Sequence, residues 1–142
     1  MKPGPAPMPA SLRLVTGNAS KVPDHKLKHE LKPDITLPDP PANLSDEAKA
    51  EWTRLGPEMI RLGLISNLDR AAFAVCCEHW ATWLMAQDQL KALGPAGFVE
   101  VTPSGYRQMS VWLQIRNRAA EGLRQYLNEF GMTPSARTGF TA

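Results

Sequence analysis

Ser66-NLDRAAFAVCCEHWATWLMAQDQLKA-Leu93 decides the fold. Ser66 can cap a helix, and Asp69 three residues later is the acid of a capping box. Leu68, Ala72, Cys76, Trp80, Trp83, Gln87 and Leu90 recur at steps of three and four, with Phe73 and Leu84 beside them. No Gly or Pro interrupts before Gly94-Pro95, a stop signal. About 28 residues at 1.5 Å each predict a rod of roughly 40 Å. Two tryptophans three apart need a large surface to pack on, from flanking helices or from a second subunit.

Two further helical patterns flank it. Upstream, Ser45 is an N-cap, with Asp46 and Glu47 in the first turn, where the helix dipole favours acids. Leu44, Ala48, Trp52, Leu55, Met59 and Leu62 form the apolar stripe, and Gly63 ends it. Pro57 falls inside this pattern and predicts a kink or break near Gly56-Pro57. Leu64-Ile65 is too short a connector for anything but antiparallel packing. Downstream, Leu113, Ile115, Ala119, Leu123, Tyr126, Leu127 and Phe130 mark a last helix opened near Ser110 and capped by Gly131. Between the second and last helices, Phe98–Thr102 and Tyr106–Met109 flank Pro103-Ser104-Gly105, which reads as a small β-hairpin. Such a hairpin is marginal alone and must lie on something. The expected fold is all-α: a kinked first helix, a long central helix, a hairpin insertion and a last helix.

Residues 1–43 differ in kind. They hold nine of the thirteen prolines and no sustained periodicity, so a mobile, extended arm is expected, with Pro38-Asp39-Pro40-Pro41 as a stiff spacer. Within it the short piece Ser11–Val15 reads as a turn of helix or a strand, and Thr16-Gly17-Asn18 after it as a breaker. Residues 1–32 carry Lys2, Arg13, Lys21, Lys26, Lys28 and Lys32 against Asp24 and Glu30, while the whole chain carries only +2. A basic arm on a near-neutral body follows. Its lysines are either a solubilising tail or contacts to nucleic-acid phosphates, which basic arms make without sequence preference. The domain plan is an arm at 1–43, a helical oligomerisation core at 44–134 and a tail at 135–142.

Nothing in the sequence assembles a catalytic set, so no enzymatic activity and no cofactor are expected. His79 stands alone on the central helix, and one histidine without a placed partner reads as a core or surface residue. His25 and His29 lack a third ligand, which argues against a metal site. Cys76 and Cys77 are adjacent and are the only cysteines, so no strain-free disulfide is available and the chain reads as reduced and intracellular. Met1–Pro9 has no apolar core of a signal peptide, and no run is long enough to cross a membrane. The glycines are scattered singly at turns and make no phosphate loop. Four tryptophans, Trp52, Trp80, Trp83 and Trp112, are many for a folded part of roughly 100 residues, which buries only about 60–65% of its chain surface. They are expected to serve, in part, an interface between subunits of a homo-oligomer.

The order of short motifs goes further. Leu12-Arg-Leu-Val-Thr-Gly-Asn18 with Lys21, Trp52-Thr-Arg-Leu-Gly-Pro-Glu58, Arg61-Leu-Gly-Leu64 with Asp69-Arg-Ala-Ala-Phe73, Thr102-Pro-Ser-Gly-Tyr106, and Glu129-Phe-Gly-Met-Thr-Pro-Ser135 with Arg137 span almost the whole chain. In this order and spacing the chain resembles the small terminase subunits of tailed phages, in the short branch with a Pro-rich basic start. One departure is Val111 after Ser110, where the family is associated with a Pro. The resemblance implies a non-catalytic factor that forms a homo-oligomeric ring, binds viral double-stranded DNA and regulates the large terminase subunit, which holds the ATPase and nuclease. It implies the host cytoplasm as the location and no membrane. It does not say which residues read DNA, and no helix-turn-helix is evident. The alternative from the residues alone is a helical structural adaptor, or a toxin–antitoxin-like regulatory module, with no DNA role.

Overall fold

The structure, a computed structural model, describes Lys21, Pro23 and residues 33–137. Its elements in order are α1 (Asp46–Arg61), α2 (Arg70–Leu93), β1 (Val99–Val101), β2 (Arg107–Met109), α3 (Val111–Glu129) and a single turn, α4 (Pro134–Arg137). A 3-10 turn, Asn67–Asp69, leads into α2, and another, Gly94–Phe98, leaves it. The all-α expectation with a hairpin insertion holds.

Side chains near the helix ends set the boundaries. The Ser45 hydroxyl accepts the Ala48 N–H, and the Ser110 hydroxyl accepts the Leu113 N–H. Ser110 thus starts α3 without the proline expected at Val111. At Ser66 the full capping box forms: Asp69 Oδ2 accepts the Ser66 N–H at 2.8 Å, and the Ser66 hydroxyl accepts the Leu68 N–H at 3.2 Å. Gly63 (φ 67°) and Gly131 (φ 69°) take the left-handed conformation just past α1 and α3. In each case the next residue bonds back, Leu64 N–H to Met59 O and Met132 N–H to Leu127 O, both at 2.8 Å. This closes off carbonyls that the helix itself leaves open.

Pro57 does not split α1, which continues from Asp46 to Arg61 as one helix. The proline withholds one donor, and the carbonyl left without it belongs to Thr53, an exposed residue.

α2 is the axis of the molecule. α1 packs antiparallel on its first half and α3 antiparallel along its length. The largest fully buried side chains, Phe73, Met59, Cys76 and Cys77, gather where α1, the start of α2 and the end of α3 meet. There the Trp52 ring lies 4.5 Å from Phe73, and Phe73 meets the edge of Phe130 at 6.0 Å. Residues 33–43, expected as part of the arm, lie against this core instead. Leu37 packs over Gly56, where a side chain on residue 56 would overlap it. Pro38 is buried, Ile35 pairs with Ser66 in a β-bridge, and Arg70 Nε donates to the Asp39 carbonyl at 2.8 Å.

The hairpin pairs Val99 with Met109, Glu100 with Gln108 and Val101 with Arg107. Alternation therefore puts Val99, Val101, Arg107 and Met109 on one face and Glu100 and Gln108 on the other. All six residues are exposed.

Candidate functional site

α1 starts beside the middle of α2. Glu78 Oε1 accepts the Ser45 N–H at 2.7 Å, and Glu78 Oε2 accepts the Ser45 hydroxyl at 3.0 Å. The acid that completes this cap comes from another helix, so the pair fixes where α1 begins along α2. From Ala81 onward α2 has α3 on one side and, among the described residues, no helix where α1 would continue.

Among the described residues this end carries more than half of the exposed large apolar side chains. Leu93, Phe98, Val99, Val101, Tyr106, Met109 and Val111 are all exposed, and Tyr106 is 67% accessible. They cluster on the end of α2, the hairpin and the start of α3. Arg116 sits at the base of this region. It is half-buried, reaches Gln87 Oε1 at 3.5 Å, and lies 5.9 Å over the Phe98 ring. It holds the end of the 3-10 turn that leads into the hairpin against α3 by a cation–π contact.

The expected interface tryptophans part ways. Trp52, 2% exposed, is taken up by the chain's own core. Trp80 and Trp83 stack on α2 with centroids 5.5 Å apart and planes within 6°, and both keep part of their surface. Trp112, at the start of α3 beside the hairpin, is also half-buried.

Of the basic residues expected to contact DNA, Lys21 is described and exposed. Lys2, Arg13, Lys26, Lys28 and Lys32 lie outside the described residues. On the body, Arg118 and Arg124 of α3 are exposed.

The residues with potential chemistry are structural. The His79 ring rests on Gly122 of α3, where a Cβ would overlap it, and lies 5.8 Å from the Tyr126 ring. Cys76 and Cys77 are buried, and burial, helped by Glu51 nearby, pushes both thiols up to about 12. Thiols so high are unreactive at neutral pH. Glu51, itself buried, is held by a two-pronged bond from Arg54 of 2.6 and 2.8 Å. That pairing raises the guanidinium's affinity for its proton. No group of three metal-ligating side chains occurs among the described residues, and none of their helices is long and apolar enough to cross a membrane.

Sequence reading missed the uncovered end and the groove beside it. The alternation of Val99, Val101 and Met109 with Glu100 and Gln108 signals a hairpin face that is apolar apart from Arg107. Whether anything covers that face is not a local property.

The family described as phage terminase, small subunit, matches residues 48–142. No curated protein and no solved structure matches the chain. The family match takes in α1 from its third residue on, α2, α3, the hairpin and the uncovered end. The chain belongs to the phage terminase small-subunit family, and its place is therefore in phage DNA packaging.

Proposed function

We infer that this chain is the non-catalytic, ring-forming subunit of the packaging terminase, which binds viral DNA and regulates the large ATPase/nuclease subunit. The observation that carries the reading is the exposed apolar hairpin end on a member of this family. A two-stranded hairpin with both faces in water is marginal. Here it carries Val99, Val101 and Met109 on one face, beside Phe98 and Tyr106. Neighbouring copies would cover this end together with Trp80, Trp83 and Trp112. Cyclic closure satisfies every such surface, whereas an open head-to-tail arrangement grows into fibres.

DNA contact is assigned to the basic arm through Lys2, Arg13, Lys21, Lys26, Lys28 and Lys32. Phosphate contacts release counterions, and each lowers the log–log salt slope by about 0.9 on duplex DNA. A ring presents several arms at once and multiplies the dependence through effective concentration. Native mass spectrometry tests the assembly: a closed oligomer of one dominant size is expected, and a species of 15.6 kDa at micromolar concentration refutes it. A chain truncated to begin at Pro33 tests the arm. Loss of DNA affinity and of salt slope with the oligomer intact is expected. Unchanged affinity moves the contact to the helices, with Arg118 and Arg124 the first candidates.

A further inference from the structure

Where α1 stops short, α2 borders a groove of about 430 Å³. Ala81, Leu84 and Met85 give it an apolar floor, and Glu47, Glu78 and Asp88 an acidic rim. A second groove of about 660 Å³ shares Ser45 and Glu78 with it and is walled by Pro41 and Asn43, the residues by which the chain enters α1. Among the described residues no Lys or Arg lines either groove. Glu78 is occupied with Ser45. Among the described residues the carboxylates of Glu47 and Asp88 have no hydrogen-bond or ion-pair partner, and Met85 is 49% exposed. A cleft with an apolar floor and unpaired acids at its rim suits a basic segment with a few aliphatic side chains.

This chain contains such a segment. Arg13 stands between Leu12 and Leu14, with Val15 next, and residues 1–32 carry six basic residues against two acidic ones. In an extended segment Leu12 and Leu14 point to one side and Arg13 to the other. The reach is sufficient. About 20 residues separate Arg13 from Pro33, and at roughly 3.3 Å each they span up to about 65 Å. α2 with its 24 residues is only about 36 Å long.

We propose that the groove beside the start of α1 binds residues Leu12–Val15 of the same chain, with Leu12 and Leu14 on Ala81, Leu84 and Met85 and Arg13 facing Glu47 and Asp88. Docking there withholds part of the arm's charge from DNA, and duplex DNA competes for it. This regulatory half rests on the arm being the DNA contact. The docking itself does not.

The test uses the full-length protein with benzoylphenylalanine in place of Met85. Irradiation at low salt without DNA is expected to give a cross-link mapping within residues 1–32. The yield should fall several-fold when Glu47→Gln and Asp88→Asn are combined, and also at about 0.5 M salt, where the Debye length is only a few ångströms. A cross-link to helical residues of another copy would assign the groove to the subunit interface and overturn the proposal, and so would the absence of any product. Added duplex DNA is expected to lower the yield. Should the yield stay unchanged with DNA, docking stands and the arm's role in DNA binding falls. With that role intact, the Glu47→Gln, Asp88→Asn protein binds duplex DNA several-fold more tightly than the parent.

Discussion

The two halves of the central helix are equally regular in backbone and unlike in company. From Arg70 to Glu78, α2 is packed by α1 and α3 together, with residues 33–43 lying across α1 and the start of α2. It buries Phe73, Cys76 and Cys77 completely. From Ala81 to Leu93 its described company is α3 and, at the very end, the 3-10 turn Gly94–Phe98, whose Gly97 lies against Leu90 and Leu93. Its buried positions there are Ala81, Ala86 and Leu90, while Met85 and Leu93 face water. Helix formation needs only caps and a sequence free of breakers, so both halves achieve it. A core of large side chains needs three elements to converge, and only one end has them. The other end leaves apolar side chains such as Met85 and Leu93 in water.

The largest effect should come from the packed half. Phe73→Ala removes the ring that Trp52 and Phe130 both touch and is expected to cost about 3–5 kcal/mol in urea unfolding. Leu90→Ala, in the open half, should cost less, about 2 kcal/mol, because the surroundings there can collapse into the space. Equal costs would break the contrast.

Next in size is the contact between α2 and α3 at mid-length. Gly122→Ala puts a methyl group into the His79 ring. Overpacking of this kind costs about 1–3 kcal/mol. It outweighs or at least cancels the roughly 1 kcal/mol that Ala gains over Gly in a helix. Combining it with His79→Ala should recover stability, so a double-mutant cycle with a strongly favourable coupling is expected. Additive losses would show that the approach of the helices is not set there.

A pH experiment sharpens the same comparison. Both thiols lie in the packed half, and their ordinary value of 9.0 is raised to about 12 in the fold. The folded state therefore holds protons that the unfolded chain releases. The stabilisation is intact below pH 9 and is lost as pH rises from 9 towards 12. One unit above the unfolded value the loss is about 1 kcal/mol for each thiol. Unfolding in urea at pH 7 and pH 10 measures it, and the Cys76→Ala, Cys77→Ala protein should lose this part of the pH slope. An unchanged slope would mean that the thiols are less enclosed than the packing indicates.

The sequence showed the packed half's elements more clearly than its closure. Ser45, Ser66, Ser110, Gly63 and Gly131 are boundary signals that act within one turn, so they could be read one residue at a time. The hairpin was legible from Pro103-Ser104-Gly105 for the same reason. Residues 33–43 were not, because Leu37 finds its place only over Gly56, and no periodicity records a long-range fit. In the sequence Glu78 is one acid among the residues of a helix, with nothing to mark it. Its role as the acid of α1's cap exists only once the two helices cross. Trp52 was grouped with Trp80, Trp83 and Trp112 by residue type, yet burial separates it from them. The candidate surfaces were hardest to see, since an uncovered face is defined by the absence of a neighbour. The family resemblance reached the packaging role that residue chemistry alone left open.

The smallest effect on stability should come from the hairpin, and there the contrast is most exposed to test. Val99 and Val101 share the apolar face with Met109, and all three are accessible. Replacing both valines by serine removes no buried contact within the chain, so the unfolding free energy of the isolated subunit should change by about 0.5 kcal/mol or less. Some of even that loss reflects the weaker strand preference of serine. Assembly should respond quite differently. If this face meets a neighbouring copy, each subunit loses two aliphatic anchors at a repeated contact, and the loss recurs around the ring. Light scattering of the Val99→Ser, Val101→Ser protein should then show dissociation at concentrations where the parent is assembled, with the helical circular dichroism unchanged. Arg118→Ala on the exposed side of α3 serves as the control, and it should leave both readouts alone. An assembly that survives the serines, with Trp80 and Trp83 still required for it, would place the interface along α2 and leave the hairpin for the large subunit. Loss of helicity would mean instead that the hairpin stabilises its own chain, and the division of the molecule into a packed and an open end would have to be redrawn.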